Sequence, residues 1–67
     1  MSEYQVNKLT GEFKPLETIK FDKKEDAEHF AKNQSTIDTE NLYEVLKNHE
    51  GDFIPLKTYQ KGDVIDS

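Results

Sequence analysis

Tyr43–Thr58 reads YEVLKNHEGDFIPLKT, and earlier in the chain Tyr4–Thr18 reads YQVNKLTGEFKPLET. With one extra residue allowed before the glycine of the later stretch, Tyr4, Val6, Lys8, Gly11, Phe13, Pro15, Leu16 and Thr18 match Tyr43, Val45, Lys47, Gly51, Phe53, Pro55, Leu56 and Thr58. Glu12 and Asp52 add a conservative pair. Unrelated segments this short share roughly one identity, so residues 4–18 and 43–58 form an internal repeat.

The repeat decides how residues 39–49 are read. Taken alone they suggest a helix. Asp38-Thr39-Glu40-Asn41 resembles a helix start, Leu42, Val45, Leu46 and His49 recur at helical spacing, and Gly51 suits a C-terminal cap. The matching stretch Tyr4–Leu9 carries no helical stripe. Its Tyr4, Val6 and Lys8 fall on one strand face, with Gln5, Asn7 and Leu9 on the other. Copies of a duplicated unit keep their fold, so a strand is expected from Tyr43, with a second helix at about 39–49 as the alternative. Each copy is then a β-hairpin, with Gly11 and Gly51 in equivalent turns. The second strands run from about Phe13 to Phe21 and from Phe53 to Tyr59. Phe13, Ile19 and Phe21 share a parity that faces a core, and Phe53 is expected there too. Pro15 and Pro55 cannot donate to a ladder and belong at a bulge or an edge.

Between the copies lies one helix, expected over Asp22–Gln34. Asp22 is placed to cap it and Glu25 to complete a capping box. Ala27, Phe30 and Ala31 form a narrow apolar stripe, with Phe30 its main anchor and His29 off the stripe. Ile37, alone in a polar connection, is expected to cover one end of the core. Val64-Ile65, after a turn at Lys61-Gly62-Asp63, is expected to add a short extension or to pack loosely. The fold class is α+β: two antiparallel hairpins in one sheet, a helix on one face, order ββαββ, and a single domain over residues 1–67.

Composition bounds the function. The chain carries 14 acids against nine lysines, no arginine, and a net charge of -5. That balance repels phosphate backbones and anionic membranes, and arginine is the usual residue for bidentate phosphate and guanine contacts. Nucleic-acid binding through Lys20, Lys23 and Lys24 is therefore only a third reading. Apolar runs never exceed two residues, so no transmembrane helix, signal-peptide core or amphipathic anchor is expected. The absence of cysteine excludes disulfides and thiolate zinc sites and suits a reducing cytoplasm.

No constellation points to catalysis. His29 and His49 lack metal-ligand spacing, no serine sits in a nucleophile motif, and the carboxylates lie in hydrophilic runs without the desolvation a general acid needs. No enzyme activity, cofactor or metal is expected. The expected function is protein binding by a small acidic module, of the accessory or regulatory kind found in bacteria and phage. The alternative is a self-assembling, homodimeric domain. A short, unstapled chain has a thin core and sheet edges to protect. Tyr4 and Tyr43 are the candidate partner or self-interface residues, since tyrosine is enriched at interfaces. An unguarded first strand of either hairpin would pair with its symmetry mate.

Overall fold

A computed structural model describes residues 3–66. One antiparallel sheet contains β1 (Tyr4–Leu9), β2 (Pro15–Phe21), β3 (Leu42–His49), β4 (Asp52–Gln60) and the short β5 (Asp63–Asp66). Their spatial order is β2-β1-β3-β4-β5. The helix α1 (Lys24–Ile37) lies on one face. The fold is α+β with two hairpins flanking one helix, and Val64-Ile65 lies in the added fifth strand.

Residues 42–49 are a strand, and the helical alternative falls. Leu42 and Leu46 match a helical spacing because they recur four apart. In the strand they share the face away from α1, while Tyr43 and Val45 face α1, and all four are buried. A central strand apolar on both faces loses the alternation that marks a half-buried strand, so its pattern is ambiguous by periodicity.

The two repeat copies meet at β1 and β3. Val6 lies opposite Val45, Tyr4 opposite Lys47, and Lys8 opposite Tyr43. Because Tyr4 matches Tyr43 and Lys8 matches Lys47, this ladder has a local two-fold axis through the Val6–Val45 pair. The strand pairing expected between two copies of the chain is thus made within it. Both edges of β1 and of β3 are occupied, so neither strand is free for a symmetry mate.

β2 and β3 both run antiparallel to β1, and α1 carries the chain from one to the other. Its 14 residues span about 21 Å, close to the ~20 Å of a six-residue strand. Ala27 and Ala31, fully buried, let the helix lie close on Val6, Val45, Tyr43 and Tyr59. Phe30 is half-buried, its ring 5.3 Å from that of Phe21. Ser35 extends the stripe one turn past Ala31. Its hydroxyl donates to the Lys32 carbonyl and accepts from the Gly62 N–H, pinning the β4–β5 turn to the helix. A Cβ on Gly62 would come within 2.5 Å of Thr36 Oγ1, so only glycine fits this approach.

Three expectations about α1 and the loops are corrected. The helix starts at Lys24 with Lys23 as its cap residue and no side-chain cap. Because β2 continues to Phe21, Asp22 is spent on the bend into the helix layer. Glu25 and Asp26 still favour the first turn through the helix dipole. Ile37 is 77% exposed; two positions beyond Ser35, it points away from the stripe that meets the sheet. Phe13 is 64% exposed and lies in a loop, outside β2.

Candidate functional site

The β1–β2 loop is built by Thr10. Its N–H donates to the Lys14 carbonyl at 2.9 Å, and its own carbonyl accepts from the Phe13 N–H at 2.9 Å. Its hydroxyl oxygen accepts from the N–H groups of Glu12 (3.2 Å) and Lys14 (3.1 Å). This is a three-residue hairpin loop, Gly11-Glu12-Phe13, whose last position is left-handed. Phe13 occupies it at φ 64°, where glycine is the usual residue. An L-residue there costs roughly 1–2 kcal/mol. The other non-glycine residues with positive φ, Glu50 (54°) and Lys61 (55°), each precede a glycine in a two-residue turn that requires two left-handed positions. Phe13 likewise fills a left-handed position that its loop type requires, but it does so as a bulky residue where glycine is usual, and its ring stands in solvent.

Leu16 lies beside it. Lys8 faces Glu17 and Leu9 faces Pro15, leaving Leu16 as the extra residue of a β-bulge, 57% exposed. Pro15 thus sits at a bulge on an edge strand. The C-terminus of α1 ends at the same end of the sheet, since the 38–41 loop leads directly into Leu42, opposite Leu9. Phe13, Leu16 and Ile37 are therefore exposed apolar residues at the same end of the sheet.

A polar cluster braces that end. A single oxygen, Asp38 Oδ2, accepts from Asn41 Nδ2 (2.7 Å) and Tyr43 OH (3.1 Å) and lies 3.5 Å from Lys8 Nζ. The Asn41 bond, with lesser help from Tyr43 and Lys8, holds the Asp38 carboxyl below the ordinary carboxylate value. Burial, reinforced by Asp38, pushes the Tyr43 phenol up to about 12. Towards the middle of the sheet Lys57 Nζ lies 2.6 Å from Glu28 Oε2. The ammonium approaches away from the preferred hydrogen-bond direction, since this buried oxygen accepts no well-aligned bond. It is a charge contact between α1 and β4, and Glu28 holds Lys57 above the ordinary lysine value.

Tyr43, one of the two candidate interface residues, is 2% exposed and committed to the core and to Asp38. Tyr4 is half-buried against the same core. The structure brings neither to an open surface and instead exposes Phe13, expected in the core, Ile37, expected to cover one end of it, and Leu16. His29 is exposed on α1 and His49 at the end of β3. Among the described residues no cluster of three histidines and carboxylates could hold a metal, and no helix is long and apolar enough to cross a membrane. Lys20, Lys23 and Lys24 are all exposed.

No protein-family model, curated protein or solved structure matches the chain.

Proposed function

We propose that this chain is a non-catalytic module that binds a protein partner through the end presenting Phe13, Leu16 and Ile37. The observation that carries the reading is Phe13. Four hydrogen bonds through Thr10 hold it in a left-handed position that favours glycine, with the ring turned outward. A large apolar side chain kept at a conformational cost, without being buried in its own fold, suits burial in another. Enclosing such a ring contributes roughly 1.5–3 kcal/mol, enough to make it an anchor. A cytoplasmic setting, supported by the cysteine-free acidic composition, goes with this reading.

Self-association through the same end is the second reading, favoured by the same exposed apolar groups. One experiment separates the two. A photo-crosslinking phenylalanine analogue replaces Phe13 in one sample and Phe53 in another, in cells of the source organism. Position 13 is expected to capture a distinct second protein and position 53 to capture none. Capture of only the chain itself at position 13 would favour self-association. Equal, unselective capture at both positions would defeat a specific site at this end.

A further inference from the structure

From the charges around the exposed residues we infer the chemistry of the partner: the apolar face of an amphipathic helix edged by lysine and arginine. This rests on the reading that residues 10–17 and 37–42 form the docking end. Residues 8–17 and 37–42 carry four carboxylates, Glu12, Glu17, Asp38 and Glu40, against two lysines, Lys8 and Lys14. Both lysines are already engaged, Lys8 by Asp38 at 3.5 Å and Lys14 by Glu12 at 3.8 Å. Glu17 and Glu40 are exposed and make no ion pair among the described residues. The apolar set is thus edged by net negative charge.

That edge discriminates between occupants. A second copy docking through the same end in a two-fold arrangement would set this acidic rim against itself. Like charges brought together across an interface oppose association. Phosphate-bearing surfaces meet the same repulsion. A cationic protein surface gains attraction at the rim, which speeds encounter and sets orientation, while Phe13 and Leu16 supply the apolar contact.

Two synthetic amphipathic helices test this on the full-length chain, one of leucine and lysine, the other its twin with glutamate for lysine. Amide chemical shifts are followed by NMR. The lysine peptide is expected to shift residues 10–17 and 37–42 and the glutamate peptide to leave them unmoved. Binding should weaken roughly tenfold between about 0.05 M and about 0.5 M salt. It should also weaken roughly tenfold or more in Phe13→Gly, a variant whose fold is checked by its own amide spectrum. If both peptides shift this end equally, the basic partner is wrong and the docking end stands. If neither peptide shifts it, or the lysine peptide acts elsewhere and ignores Phe13→Gly, the docking end itself is wrong.

Discussion

The two hairpins share their key residues and put them to opposite uses. In the β3–β4 hairpin Phe53 lies in the strand opposite Asn48, and Leu56 packs against the core. In the β1–β2 hairpin their counterparts, Phe13 and Leu16, are exposed. The cause is one residue of loop length. The second copy has 12 steps from its tyrosine to its proline and the first has 11. In β3–β4, Leu46 faces Pro55, pairing continues to His49–Asp52, and Glu50-Gly51 turns with both φ positive. The same register in the first copy would place Thr10 opposite Glu12 and leave Gly11 alone to reverse the chain. One residue cannot close a hairpin, so the first copy falls back by two and pairs Leu9 with Pro15. The expectation that Gly11 and Gly51 occupy equivalent turns is corrected on this ground. Gly51 has φ 93°, whereas the left-handed residue of the first loop is Phe13.

In both copies the residue after the proline is the bulged one. The slip decides where that bulge falls. Leu56 bulges near the middle of the sheet, under α1, and Leu16 near the end, beyond cover. Twin substitutions therefore should have unequal effects. Leu56→Ala is expected to cost about 1.5–3 kcal/mol, as for a partly enclosed leucine, and Leu16→Ala to stay within about 0.5 kcal/mol of the parent, both by urea denaturation. Equal losses would mean that Leu16 is packed as well as Leu56.

The matched tyrosines differ in the same sense. Tyr43, not Tyr4, reaches Asp38. Its phenol rises from 10.0 to about 12 in the folded chain, so the native state holds its proton where the unfolded chain releases it. The stabilising contribution is complete below pH 10 and is lost as the pH climbs towards 12. The loss should be of order 1–3 kcal/mol. Urea melts across that range should show Tyr43→Phe shedding this dependence and Tyr4→Phe retaining it. The same alkaline decline in both variants would place the perturbed group elsewhere.

The smallest effect concerns the strained loop. Phe13→Gly relieves the left-handed position but adds unfolded-state freedom worth about 0.4–1 kcal/mol. The net is expected to lie between no change and about 1 kcal/mol of added stability, read from a thermal melt. A clear loss of stability would mean that the Phe13 ring supports the fold.

The architecture was legible in the sequence because it rests on alternation and on the repeat. Ala27 and Ala31 are buried as their spacing implied, and β3 was recovered only through its likeness to β1. The exposed apolar end was not legible. Parity counted from Phe21 back to Phe13 assumes an unbroken strand, and the bulge at Leu16 breaks it. The exposure of Phe13 follows from counting how many residues remain to close each turn, and that count requires the register. Ser35 was missed because a hydroxyl does not register in an apolar stripe, although a small, internally bonded side chain packs there as alanine does.

Cross-strand NOEs measured along both hairpins in one sample of the full chain test the two-residue slip most directly. Thr18 should show contacts to Asn7, its register partner, while the matching Thr58 shows them to Glu44. Contacts from Thr18 to Gln5, the position that matches Glu44, would mean that both hairpins share one register. Phe13 would then have no reason to face outward.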